Sequence, residues 1–157
     1  MTNTKNDNDN STVLVVDDNE QNLELLLAYL EDVDCSTYSA TGGAEAIEIA
    51  RDKLPDLILL DVMMPKMSGF EVCRRLKGDP NTSNIPIIMV TALNELGDIE
   101  RAIDSGTDDF LSKPVNKWEL VTRVKTMLKL KHLTDKLERT LAYLNEVESQ
   151  IGPQRTE

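Results

Sequence analysis

The sequence predicts an α/β protein built on a doubly wound, five-stranded parallel sheet, with an extended helix at its C-terminal end. Three observations carry this reading. Val13–Val16, Leu57–Leu60 and Ile87–Val90 are unbroken apolar runs, the pattern of strands buried on both faces. After the strand-like runs come stretches whose apolar residues recur at helical spacing. No two-residue hairpin turn joins one run to the next, so right-handed crossovers must return the chain to the same end of the sheet.

Taken in order, Met1 to Ser11 is polar and Asn/Asp-rich and reads as a disordered leader, residues 1–11. Thr12 to Val16 is a β-branched strand ended by Asp17 and Asp18. Leu23, Leu26, Leu27 and Leu30 then form one apolar stripe on a first helix, capped by Asp18 or Asn19. Cys35 to Ala40 is a weaker, peripheral strand. Gly42 and Gly43 open a helix carrying Ala46, Ile47 and Ala50, which ends before Pro55. The third strand, Leu57 to Asp61, leads into a helix from Gly69 to Lys77 with Phe70, Cys73 and Leu76 inward.

Gly78 to Asn84 is a polar loop. Pro86 to Thr91 is the fourth strand, with proline at its start where no ladder donor is lost. A helix over Leu96 to Ser105 is expected to turn Ile99, Ala102 and Ile103 inward, and Asp109 to Lys113 is the fifth strand, closed by Pro114. From Asn116 there is no glycine or proline before Gly152. Leu120, Val121, Val124, Met127 and Leu128 suit packing on the sheet, but Leu130, Leu137, Leu144 and Ile151 continue at seven-residue intervals. Met127 and Leu141 interleave with them, and Thr134 and Glu148 interrupt the seam. Residues 12–130 therefore read as one domain and 131–157 as a helical extension able to form a coiled coil. A helix of about 35 residues is about 50 Å long, and its distal half needs a partner.

Net charge is −11 and uneven: residues 1–116 hold 22 acidic and 9 basic side chains, residues 117–157 hold 6 and 8. An acidic body of −13 argues against direct nucleic-acid binding, which relies on Lys and Arg at phosphates, and suits a cation site or a basic partner. Two cysteines make no disulfide framework, no Cys/His cluster has metal-ligand spacing, and no apolar run approaches a membrane span. With no apolar signal region, a cytoplasmic location and no membrane partner are expected.

The chemistry collects at strand ends. Asp17 and Asp18 end strand one, Asp61 strand three, Thr91 strand four and Lys113 strand five. With strand two at the edge, these ends meet at a switch point between strands one and three. Three carboxylates so close repel one another unless a divalent cation compensates, and oxygen ligands favour Mg²⁺. One carboxylate could then attack phosphorus, with Lys113 and the Thr91 hydroxyl on the transferred oxygens.

Asp17-Asp18, Asp61 with Met63-Met64-Pro65, Met67-Ser68-Gly69, Val90-Thr91-Ala92 and Lys113-Pro114 strongly resemble the receiver domain of bacterial two-component response regulators, over about Thr12 to Leu130. The resemblance implies a flavodoxin-like sheet of order 2-1-3-4-5. It implies that Asp61 is the phosphoacceptor, taking phosphate from the phosphohistidine of a sensor histidine kinase or phosphotransfer protein. Asp18, Asp61 and the Met63 carbonyl are the implied Mg²⁺ ligands, with Asp17 assisting at the metal, often through water, and Lys113, before a cis Pro114 bond, is the implied counter-ion. Thr91 and Phe110 are the implied switch pair, relaying the signal to the face of the fourth helix, fifth strand and last helix. Such a domain is not an enzyme in the ordinary sense, although it assists its own phosphorylation. The typical continuation into an output domain is not found within these residues.

Singly, each motif has a plainer reading: Asp17-Asp18 and Asp61 as caps or turns, Thr91 as structural, Lys113-Pro114 as loop, Phe110 as core. Their joint order favours the functional one. Met63, Met64 and Met67 read as packing, Gly42-Gly43 as a turn, and His132 as a solvated residue. Met63, with no polar group to orient water, implies slow loss of phosphate. Two other classes stay open. An aspartate-nucleophile phosphatase would place its two aspartates two residues apart on one strand, whereas Asp17 and Asp18 are adjacent. A structural adaptor would only dimerise through the last helix, along residues 127–151, as the switch is also expected to do.

Overall fold

The computed structural model describes residues 11–92 and 96–151; most of the leader and the last residues, 152–157, lie outside them. Strands β1 (Thr12–Val16), β2 (Ser36–Ala40), β3 (Leu57–Leu60), β4 (Ile87–Thr91) and β5 (Asp109–Ser112) form one parallel sheet, ordered β2-β1-β3-β4-β5. Between and after them run α1 (Glu20–Tyr29), α2 (Gly43–Lys53), α3 (Gly69–Gly78), α4 (Leu96–Ser105) and α5 (Lys117–Ile151), with a 3₁₀ turn at Leu30–Asp32.

Alternation along the strands divides the core into two layers. Leu14, Val16, Ile58, Leu60, Ile87 and Met89 face α2, α3 and α4, meeting Ala46, Ala50, Phe70, Cys73, Leu76 and Ala102. Val13, Val15, Leu57, Leu59, Ile88 and Val90 face α1 and α5, meeting Leu23, Leu26, Leu120, Val124 and Leu128. All four residues of β3 are fully buried, which is why that run carries no alternation. Crossing from β1 to β2 on one side and to β3 on the other opens a crevice at the carboxyl ends of β1 and β3.

Helix starts follow side-chain chemistry. Asn19 Oδ1 accepts the Asn22 N–H at 3.1 Å, Ser68 Oγ accepts that of Glu71 at 3.3 Å, and Asn116 Oδ1 accepts that of Glu119 at 3.0 Å. Of the two caps open for α1, Asn19 is the one used.

Several expectations need correction. Ile103, expected inward on α4, is 63% exposed, whereas Ala102 is fully buried. A stripe of Ile99, Ala102 and Ile103 is wider than the single line of contact α4 makes, and the branched residue at its edge falls outside. Cys35 and Pro86 precede their strands, Gly78 completes α3, and Lys113 follows β5. Ser11, assigned to the leader, is fully buried. Its hydroxyl lies 2.8 Å from Nε2 of His132, so His132 is not a free surface residue. The 35-residue α5 first lies across the face of the sheet beside α1, and the turn after that packed part brings His132 to Ser11.

Among the described glycines, Gly69 sits closest to neighbouring backbone. A Cβ there would lie 2.3 Å from the Asp61 carbonyl oxygen and 2.8 Å from Val62 Cα, both backbone atoms. The Gly69 N–H donates to the Val62 carbonyl at 2.9 Å, holding the start of α3 against the end of β3. Gly69→Ala is expected to destabilise the protein by about 2–4 kcal/mol, because backbone must shift to admit the methyl group. Urea unfolding measures this, and a loss under about 0.5 kcal/mol, the range of an inert surface change, would remove the close approach from the account.

Candidate functional site

The five strand ends converge through backbone bonds as well as topology. Asp61 N–H donates to Val16 O at 2.9 Å, Asp17 N–H to Ala40 O at 3.2 Å, and Lys113 N–H to Thr91 O at 3.0 Å. Asp17, Asp61, Thr91 and Lys113 are therefore tied to a neighbouring strand through their backbones.

Asp17 is 1% exposed and Asp61 4%. Asp17 Oδ1 accepts the Asn19 N–H at 2.9 Å, and its Oδ2 accepts Lys113 Nζ at 2.9 Å. The same ammonium lies 3.4 Å from Asp61 Oδ1, which also accepts the Met63 N–H at 3.4 Å. Asp18 is exposed at the mouth, and one oxygen from each of Asp17, Asp18 and Asp61 lies within 4.8 Å of the others. Lys113 thus faces two of these three carboxylates.

Burial, and then the neighbouring Asp17 charge, push the Asp61 carboxyl above the ordinary carboxylate range, while Lys113 pulls it back part of the way. Burial lowers Lys113, but Asp17 and Asp61 outweigh it and hold the ammonium above its usual value, so it stays charged at neutral pH. An uncompensated cluster of hard oxygen donors, two of them withdrawn from water, fits a divalent cation of the Mg²⁺ type.

The other expected residues fall around this centre. Thr91 is buried at the end of β4, beside β3 and β5. Phe110 lies on β5 in register with Met89, partly buried against the α2–α4 layer. The Lys113–Pro114 bond is cis. Met63, expected to pack, is 75% exposed, because its peptide turns back to Asp61 and its side chain faces solvent; Met64 is buried and Met67 partly so.

Some features escaped the sequence reading. The Asn19 peptide orients Asp17, a backbone role with no residue-type signal. Lys66 holds φ at 68° in the loop after Asp61, a left-handed position that its residue type does not signal. A cavity of about 460 Å³ beside Lys113 is lined by Leu25, Tyr29, Pro114 and Val115, brought together only by α1 meeting the segment after β5.

The family described as the response regulator receiver domain matches residues 13–125. The chain belongs to that family. The response regulator PleD of Caulobacter vibrioides is 45% identical over 127 residues, which are 81% of this chain but 28% of PleD. The chain therefore spans under a third of that relative's length. The polar-differentiation response regulator DivK of Brucella anthropi is 38% identical over 117 residues, covering 74% of this chain and 95% of DivK. Among solved structures, the receiver domain of sensor histidine kinase PA1611 from Pseudomonas aeruginosa PAO1 has a magnesium ion coordinated in its active site cleft. It superposes with a TM-score of 0.71 at 28% identity, covering 76% of this chain and 98% of that one. Receiver domains are signalling domains, phosphorylated by histidine kinases or phosphotransfer proteins. Among the described residues, no helix is long and apolar enough to cross a membrane.

The raised Asp61 carboxyl has a stability consequence. The folded state binds this proton more tightly than the unfolded chain, so its contribution is present below the ordinary carboxylate range and lost as pH rises through the raised value. In EDTA, Asp61→Asn is expected to stabilise the fold at neutral pH by on the order of 1 kcal/mol. The advantage should shrink as pH falls toward 4. Thermal unfolding of parent and variant across that range tests it; a constant or reversed difference contradicts the assignment.

Proposed function

We propose that this chain is a phosphorylation-operated switch in which Asp61 accepts a phosphoryl group from a phosphohistidine. The observation that carries the reading is Lys113 Nζ, within 2.9 Å of Asp17 and 3.4 Å of Asp61. The ammonium holds Asp61 beside a second carboxylate while keeping it ionised enough to act as nucleophile. In the transfer, an Asp61 oxygen bonds to phosphorus as the phosphorus–nitrogen bond to histidine breaks, and the imidazole leaves with the bonding pair. Lys113 then faces the phosphoryl oxygens, and the Thr91 hydroxyl donates to one of them.

Asp17, Asp18, Asp61 and the Met63 carbonyl would hold magnesium. When bound, it supplies positive charge against the phosphoryl oxygens. The cavity bordered by Leu25, Tyr29 and Val115 offers the donor protein an apolar approach next to Lys113. Repositioning of Thr91 and Phe110 remodels the face of α4, β5 and α5, which requires the phosphoryl group to interact differently with two states. Met63 presents no polar group to an attacking water, in keeping with a long-lived acyl phosphate.

Acetyl phosphate with Mg²⁺ should label the parent once per chain, and Asp61→Asn should take no label at the acyl position. Lys113→Ala should slow labelling by about 10²-fold or more, as loss of one preorganised charge does. Repeated turnover without a stable adduct would favour an aspartate-nucleophile phosphatase, and no labelling a static adaptor.

The second part of the proposal is a parallel homodimer along α5. Leu130, Leu137, Leu141 and Leu144 are each at least half exposed on one side of the helix. A strict seven-residue repeat drifts about 20° per heptad on a straight helix, which two chains absorb by supercoiling. A second copy is the occupant that such self-complementary spacing fits. Ending the chain after Lys136, which keeps the Ser11–His132 contact, should leave a monomer that still takes phosphate. Sedimentation velocity decides this, and an unchanged dimer excludes the seam.

A further inference from the structure

Met63 is the exposed member of an otherwise shielded set of sulfur atoms. Its surface is 75% exposed, whereas Met64 and Met89 are buried and Met67 and Met127 pack partly buried against the two core layers. Met1 lies outside the described residues. Cys73 is fully buried and Cys35 half-buried, and burial pushes both thiols above the ordinary cysteine range. Neither therefore offers the thiolate through which cysteines meet oxidants. A thioether needs no deprotonation to react, so among the described residues Met63 is the sulfur that an oxidant in solution reaches first.

The backbone ties that sulfur to the candidate phosphoacceptor. The Met63 N–H donates to Asp61 Oδ1 at 3.4 Å. The loop around it is held too: Met64 N–H donates to Val62 O at 3.0 Å, and Gly69 N–H donates to the same oxygen at 2.9 Å. Asp61 is almost closed to solvent, while Asp18 and Met63 beside it are exposed. Both side chains therefore stand on the solvent side of the carboxylate. Met63 is long, unbranched and free to rotate beyond its fixed peptide, so its tip can turn back over that opening.

We propose that Met63 is an oxidation site for hydroperoxides, and that its sulfoxide shortens the life of a phosphoryl group on Asp61. The proposal rests on the phosphoryl-switch reading above and adds redox control to it. In the oxidation, the thioether sulfur attacks one oxygen of hydrogen peroxide, and a sulfur–oxygen bond forms as the oxygen–oxygen bond breaks. The departing hydroxide takes the proton from the transferred oxygen and leaves as water. Sulfur gives up two electrons and the peroxide gains them. A thioether is a weak acceptor that orders no water, but a sulfoxide oxygen is strongly polar. Holding one proton of a water, it turns that water's lone pair toward phosphorus. The water oxygen then bonds to phosphorus as the bond to Asp61 breaks, the carboxylate leaves with the pair, and the proton passes to solvent. Oxidation leaves the Met63 N–H and carbonyl unchanged, so it alters the loss of phosphate rather than its uptake.

The test uses the full chain in Mg²⁺, labelled by acetyl phosphate and freed of excess reagent, with and without prior hydrogen peroxide. Peptide mass spectrometry locates the added oxygen, and loss of label with time gives the decay constant. Met63 is expected to gain oxygen at least about tenfold faster than Met64, Met67, Met89 or Met127, following exposure. Decay should then quicken about tenfold, less than the roughly 10²-fold of a group that takes the proton itself, because a sulfoxide only orients the water. The two epimer-specific methionine sulfoxide reductases should restore the slow decay. In Met63→Leu the ratio of decay constants with and without peroxide should fall within about twofold of unity. Met63→Gln, with an amide oxygen in place of the sulfoxide, should lose label faster than Met63→Leu without any oxidant.

Peroxide that oxidises another of these methionines or a cysteine ahead of Met63 overturns the site. A Met63 sulfoxide whose label decays within about twofold of the untreated rate overturns the control, as does acceleration that persists in Met63→Leu. A parent that takes no label at all overturns the switch reading beneath the proposal, and that result is distinct from the others.

Discussion

Two carboxylates, on Asp17 and Asp61, are withdrawn from water side by side and share one ammonium. Charges placed this way carry a large desolvation cost that a single cation does not fully offset. The arrangement therefore persists only because the rest of the fold holds it. The ends of β1, β3, β4 and β5 must be brought to one side of the sheet, and a parallel sheet with a switch point does that for strands far apart in sequence. The fully buried β3 and the nearly dry β1 and β4 supply the apolar burial against which the cost is set.

The same constraint sets the backbone around the site. Asp61 needs its peptide on Val16 and its carbonyl under Gly69, so the loop between β3 and α3 must turn sharply enough to place Lys66 in the left-handed region. Rigidity is concentrated at the carboxylates and at Lys113. Phe110 stands apart from those charges, only partly buried on the edge strand β5. A fixed charged centre, with a partly buried aromatic residue on the edge strand, suits the two-state switch proposed above.

Much of this was legible in the sequence. Apolar continuity marked β1, β3 and β4, and the residues closing the strands pointed to Asp17, Asp18, Asp61, Thr91 and Lys113. Strand ends are readable because a buried run must stop where a charge begins, and α/β topology makes those stops adjacent. What stayed hidden depends on tertiary contact alone. Ile103 and Ala102 are both apolar at helical spacing, and only the narrowness of the α4 contact separates them. His132 gave no signal, because its partner Ser11 is 121 residues away and lies in a stretch that reads as polar leader. Met63 faces solvent because its own peptide is recruited by Asp61, which no pattern of side chains encodes.

Helix α5 belongs to the core and to the extension at once, and its sequence separates the two roles by period. Leu120, Val124 and Leu128 step by four residues and hold the helix to the sheet, while Leu130, Leu137, Leu144 and Ile151 step by seven and face away from it. Four residues advance a helix by about 40° beyond a full turn and seven fall about 20° short of two turns, so the stripes diverge with length. The helix contains no glycine or proline from Lys117 to Ile151 and therefore has no built-in hinge. A change in how Leu120 to Leu128 seat on the sheet must then appear as a rotation or tilt of the leucines beyond His132. Because the rod is about 50 Å long, a few degrees at its base become a displacement of several ångströms at its tip. In the switch proposed above, stiffness rather than any further contact would carry such a change to the distal leucines.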